Sequence, residues 1–146
     1  MHIPDGYLSP IIAASCYLVS IVLLYRSWRK YLVGEGFSGL LADRQTRISY
    51  LSVVAAAIFA AQMLNWPIPG GTSAHLVAGC LAAIILGPDG GAAAMSMVLL
   101  VQCLIFGDGG ITALGANILN MGLIDVYAGF TIASAASKIF RDRARG

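Results

Sequence analysis

His2 and His75 are the only histidines among the 146 residues, and one of them follows directly on Met1. A histidine in second place has particular chemistry. The free terminal amine of Met1, the backbone amide nitrogen of His2 and His2 Nδ1 can close two fused chelate rings around one metal ion. The His75 imidazole completes a set of four nitrogens. Four nitrogens in a plane suit Ni(II) or Cu(II) and argue against Zn(II). Amine and amide must both lose protons, so such binding depends on pH. The competing reading is a chance second residue together with a histidine hydrogen-bonded at an interface. Each histidine taken alone is more often that than a ligand.

Other chemistries find less support. Cys16, Cys80 and Cys103 lie far apart in apolar runs with no C-x-x-C spacing, so they read as small packing residues rather than a zinc or disulfide framework. The glycine-rich segments 87–91 and 107–110 are not followed by Gly-Lys-[Ser/Thr], so no P-loop is present. There is no H-E-x-x-H and no nucleophile–base constellation. An enzyme, whether ATPase or hydrolase, is therefore not expected, nor is a resident cofactor. A net charge of +2 without a basic, aromatic-laced patch gives no argument for nucleic acid.

The elements that must position the histidines are apolar. Hydrophobic residues make up 58% of the chain and charged ones 11%, where a soluble domain carries about a quarter charged residues. Residues 6–25, 48–88 and 90–107 hold no formal charge, and about 20 such residues suffice to cross a bilayer. The expected fold is an all-α membrane protein, a polytopic helical bundle forming a single transmembrane domain over 1–146. Five spans are expected: Leu8–Leu32; Ser49–Trp66, ended by Pro67-Ile68-Pro69-Gly70-Gly71; a third N-capped by Thr72 or Ser73 and running to Leu86; Ala92–Phe106; and Thr112–Ile139. The last is interrupted by Gly115, Gly122 and Gly129 and allows a re-entrant portion.

All nine basic residues fall in two places, Arg26 to Arg47 and Lys138 to Arg145. The positive-inside rule puts both in the cytoplasm. The N-terminus and the loops at 67–71 and 107–111 are then outside, and the basic C-terminal tail is inside. The first basic residue follows the first apolar run, unlike a signal peptide, so the terminus is expected to stay on the mature chain.

This topology brings His2 and His75 to one face, which favours the metal. His75, read in the first turn of the third helix, would be kept neutral by that helix N-terminus. Gln62, Asn65, Gln102, Asn117 and Asn120 cluster in the same leaflet. They read either as groups that orient the ligands and line the metal's entry or as ordinary interhelical hydrogen bonds. Asn117 and Asn120, at i and i+3, are the stronger candidates. Asp108 reads as a turn residue that could also attract cations.

Three blocks carry a resemblance. Met1-His2-Ile3-Pro4-Asp5-Gly6-Tyr7-Leu8-Ser9-Pro10 is one. Ala61-Gln62-Met63-Leu64-Asn65-Trp66-Pro67-Ile68-Pro69-Gly70-Gly71-Thr72-Ser73-Ala74-His75-Leu76 is the second. The third joins Gln102-Cys103-Leu104-Ile105-Phe106-Gly107-Asp108-Gly109-Gly110 to Ala113-Leu114-Gly115-Ala116-Asn117 and Asn120-Met121-Gly122. Together they resemble the NikM/CbiM substrate-binding permeases of nickel and cobalt energy-coupling-factor transporters. The resemblance implies that Met1, His2 and His75 bind a transported Ni²⁺ or Co²⁺ in the cell membrane. It implies as partners a membrane coupling subunit, a cytoplasmic ATPase and often a small accessory membrane protein. Ala74 stands where the family usually has glycine, and Asp125 where a small or apolar residue is expected. Members normally continue for two more helices, so a truncated or split form is expected. The alternative function is a non-transporting membrane metal-binding or interaction module derived from such a permease. Pro4-Asp5 is closer to nickel than to cobalt members.

Overall fold

A computed structural model describes residues 2–34, 42–64, 66–69 and 72–143. Helix α1 covers Pro10–Val33; Ser9 caps its first turn and Gly34, at φ 83°, ends it in the left-handed region. Helix α2 covers Arg44–Gln62 and is capped by Asp43, whose carboxylate accepts from Thr46 N at 2.8 Å. The short strands β1 (Trp66–Ile68) and β2 (Thr72–Ala74) pair antiparallel, with Trp66 opposite Ala74. Helix α3 covers Gly79–Phe106. Helix α4 (Leu114–Asn117) runs through a π-helical segment (Ile118–Ile124) into α5 (Asp125–Arg143).

Among the described residues three stretches are long and apolar enough, by length and composition, to cross a membrane: Pro10–Val33, Gly79–Phe106, of which residues 88–106 alone make about 28 Å of helix, and Leu114–Arg141. Hydrophobic residues cover their outer faces: Ile11, Leu18, Ile21, Leu104, Ile105 and Ile132 are all more than 60% exposed. A contiguous apolar exterior of this kind is what lipid requires. The centre is packed from small residues, with Ala82, Ala83, Ala92, Ala93 and Ala94 fully buried, which lets helix backbones approach closely. The protein is thus a mostly helical membrane protein.

Helix α3 is not straight. Gly87 has φ 76° and ψ 164°, with Pro88 next, and here the chain turns back on itself. A Cβ on Gly91 would lie 2.9 Å from Ala83 Cα, whereas a straight helix would separate those residues by about 12 Å. The segments expected as the third and fourth spans correspond to the two arms of α3, joined by a reversal where the glycines and proline predicted one.

The start of the first arm differs from expectation. Thr72 and Ser73 belong to β2 and cap no helix. Residues 75–78 follow as irregular backbone, and the helix begins only at Gly79. The glycines of the last span do not interrupt it either. Gly115 packs against the Tyr17 backbone and Gly129 against Cys80, so they are places of close helix approach.

Candidate metal site

The polar residues gather at the end of the bundle where α1 begins. The chain before α1 lies as a strap across the loop 107–113. Ile3 N donates to Asn117 Oδ1 at 2.9 Å, and Ile3 O accepts from Asn117 Nδ2 at 3.2 Å and from Gly110 N at 2.9 Å. Asn117, 3% exposed, thereby acts as a surrogate strand edge for Ile3. Asp5 accepts from Thr112 N at 2.7 Å, Thr112 Oγ1 at 2.5 Å and Ile111 N at 3.3 Å; these bonds hold its carboxyl below the usual range. The strap fits because Gly109 and Gly110 carry no side chains. A Cβ on Gly109 (φ 98°) would meet His2 Cβ at 2.9 Å, and one on Gly110 would meet Asp5 Cγ at 2.7 Å.

This docking places His2 on His75. The ring centroids are 5.3 Å apart and the planes 17° from parallel. His2 Nδ1 is 2.9 Å from Asp108 Oδ1, with the His2 side chain 2% exposed. Burial lowers the His2 pKa, and the neighbouring Asp108 works in the opposite direction without reversing it. The neutral ring then donates Nδ1–H to Asp108. His75 Nδ1 is 2.9 Å from Leu76 O and donates there likewise. What is left on both rings is Nε2, buried and without a partner among the described residues. Two buried imidazole nitrogens without partners on stacked rings are an uncommon arrangement, since buried polar atoms are nearly always bonded.

Gln62 and Gln102 are both fully buried. Gln62 Nε2 donates to Val77 O, and Gln102 Nε2 donates to Gln62 Oε1 at 2.8 Å. The pair thus anchors the irregular segment two residues beyond His75. Gln102 Oε1 has no partner among the described residues, and the Gln102 carbonyl accepts from Asp108 N at 3.0 Å.

The structure brings together His2, His75, Asp108, Asn117, Gln62 and Gln102. It does not bring in Asn120, which is exposed and makes no hydrogen bond to this group. Residues 118–124 are π-helical; a π turn takes more residues than an α turn, so i+3 no longer returns to the face of Asn117. His75 lies on irregular chain rather than in the first turn of a helix, which begins only at Gly79. His2 Nδ1, expected to be a free donor, is turned to Asp108. Met1 and Asn65 lie outside the described residues. Among the described residues no three His, Cys, Asp or Glu side chains converge as a metal cage; further ligands would come from the backbone. Two contributors were not expected from sequence: Asp5, and Tyr17, whose hydroxyl donates to Ile111 O. Their signal was only a carboxylate and a phenol flanking the strap.

Fold and site together define a class: a helical membrane protein that pins the chain before its first helix across a glycine-containing loop and so stacks two buried histidines. Residues 2–145 match the family model described as the cobalt uptake substrate-specific transmembrane region, CbiM, and the chain belongs to that family. It is 52% identical over 99% of its length to a putative fused nickel transport protein, NikMN, of Archaeoglobus fulgidus, covering 45% of that protein. It is 44% identical to a fused nickel transport protein NikMN of Rhodobacter capsulatus over 85% of this chain and 33% of that one. A cobalt transport protein CbiM of Acetoanaerobium sticklandii is 33% identical over 92% of this chain and 54% of that one. The crystal structure of a truncated transition metal transporter superposes with a TM-score of 0.82 at 36% identity, over 95% of this chain and 61% of that one. The chain thus spans about half the length of the relatives it matches.

Proposed function

We propose that this protein is the substrate-capturing membrane component of a divalent transition-metal uptake system, taking Ni²⁺ in preference to Co²⁺. The observation that carries the proposal is the buried His75 Nε2, without a partner among the described residues, on a ring against which the His2 imidazole is stacked. The donors are the Met1 amine, the His2 amide, the His2 imidazole and His75 Nε2. In-plane nitrogen donors on two stacked rings lie in nearly parallel planes, the centroids 5.3 Å apart, and so do not converge on one point. A half-turn of the His2 ring about Cβ–Cγ brings Nδ1 toward its own amide and closes the fused chelate. Asp108, which holds Nδ1 at 2.9 Å, competes with that turn and orients the ring until metal arrives. Nickel is favoured by the planar nitrogen set and by relatives: those named for nickel are 39–52% identical, those named for cobalt 32–34%.

The chain crosses the membrane five times in this reading: α1, α2, the segment 75–86, the second arm of α3, and α4 through α5. The metal end faces outward and the basic segments inward. Energy comes from a cytoplasmic ATPase acting through a membrane coupling subunit, with a small accessory membrane protein completing the assembly.

Isothermal titration of His75→Ala with Ni²⁺ and Co²⁺ tests the site. Tight binding should be lost for both ions while the helical circular-dichroism signal stays. Undiminished affinity in the variant would remove the four-nitrogen site.

A further inference from the structure

At the end of the bundle opposite the histidines, three elements meet around a cleft of about 300 Å³. Helix α1 contributes Leu23, Arg26, Ser27 and Lys30; the reversal of α3 contributes Asp89; the last span contributes Leu123 and Tyr127. A network braces it. Tyr127 donates to Asp89 Oδ1 at 2.7 Å, and its oxygen is 2.8 Å from the Ser27 hydroxyl. Arg26 and Lys30, one helical turn apart, are exposed and make no ion pair among the described residues.

The chemistry of the cleft is that of a membrane boundary. Arg26 is the first charge after twenty uncharged residues, 6–25, so it marks where α1 leaves the apolar layer. Leu23 and Leu123 wall the cleft on the apolar side, continuous with the exposed Val22, Val19 and Ile124. Two cations and one carboxylate leave a formal charge of +1, which matches a single phosphodiester. A small free anion would use the cations and leave the apolar wall unused. A lipid uses both, with its chains along Leu23 and Ile124 and its phosphate between Arg26 and Lys30.

We propose that this cleft binds the headgroup of an anionic glycerophospholipid of net charge −1, with hydroxyls rather than an ammonium beyond the phosphate. Arg26 and Lys30 hold the phosphate, and Asp89 accepts from a headgroup hydroxyl. Because Asp89 sits at the tip of α3, an occupied cleft also braces the arm that leads back to His75.

Native mass spectrometry of the detergent-solubilised full chain tests this with phosphatidylglycerol, phosphatidylethanolamine, phosphatidylcholine and soluble sn-glycerol 3-phosphate. One phosphatidylglycerol should be retained per chain, at least tenfold more tightly than the two zwitterionic lipids, and glycerol phosphate should not compete. Arg26→Gln with Lys30→Gln should lose that preference, while Arg29→Gln with Arg44→Gln, removing equal charge, should keep it. Equal retention of all three lipids, displacement by glycerol phosphate, or an unchanged preference in the Arg26/Lys30 variant would each overturn the proposal. The headgroup series on the wild-type chain decides by itself should the double variant misfold.

Discussion

Substituting Gly110 by alanine should strip the protein of tight metal binding without unfolding it. The new Cβ would sit 2.7 Å from Asp5 Cγ and 2.5 Å from Asp5 Oδ1. Non-bonded carbon atoms settle at about 3.5–4.0 Å, so the strap must retreat by about 1 Å. Such a shift breaks the register of Ile3, which rests on Gly110 N→Ile3 O, Ile3 N→Asn117 Oδ1 and Asn117 Nδ2→Ile3 O. At roughly 0.5–1.5 kcal/mol each, these bonds hold the terminus down by about 1.5–4.5 kcal/mol. If presentation of His2 depends on that docking, affinity should fall between about tenfold and a thousandfold. The helices lose nothing comparable, so the thermal midpoint without metal should move little. Gly122→Ala is the matched control, because a Cβ there meets only ordinary contacts at 3.7 Å. Titration with Ni²⁺ and thermal melting on the wild type and both variants give the result. Wild-type affinity in Gly110→Ala would show that the docked strap does not present the ligand.

Three further outcomes are expected. A tag placed before Met1 should eliminate Ni²⁺ binding by turning the terminal amine into an amide, while the same tag after Gly146 should leave it intact; equal titration curves would exclude the terminus as a ligand. Arg47→Met should lower stability by roughly 3–5 kcal/mol, since the 3% exposed guanidinium bonds Tyr31 O, Leu32 O and Ala42 O; an unchanged melting curve would count against its role in tying α1 to α2. An outside-only thiol reagent should label cysteine at position 70 and spare one at 38, and the reverse pattern would invert the orientation.

The histidine pair was legible because its signal is positional: a histidine in second place, a second one far along the chain, and basic clusters that put both at one end. The reversal at 87–91 was legible for a similar reason, since Gly87-Pro88 cannot continue a helix. The start of the next helix was not. Thr72 and Ser73 suit an N-cap and a strand equally, and pairing with Trp66–Ile68 decides for the strand. Ala78 then takes φ 65°, a left-handed conformation for which alanine gives no cue. The misplacement of Asn120 has a comparable cause. Counting i+3 assumes an α-helix, and a π-helical stretch is a product of tertiary packing that periodicity does not announce.

That unanticipated start of the arm explains why amides sit inside the bundle. Residues 75–78 are irregular chain where a helix would satisfy its own backbone, and in a membrane such chain survives only when other groups take over those bonds. Gln62 supplies the donor for Val77 O, and Gln102 fixes Gln62. Gln102 also carries, through its own carbonyl, the loop that ends in Asp108. The same two side chains therefore support the His75 segment on one side and the Asp108 contact to His2 on the other. A continuous helix from Thr72 would need neither glutamine, but it would point His75 along a helix face rather than beneath the strap. Unwinding four residues is what lets the second histidine meet the first, and the buried amides are the structural consequence of that meeting.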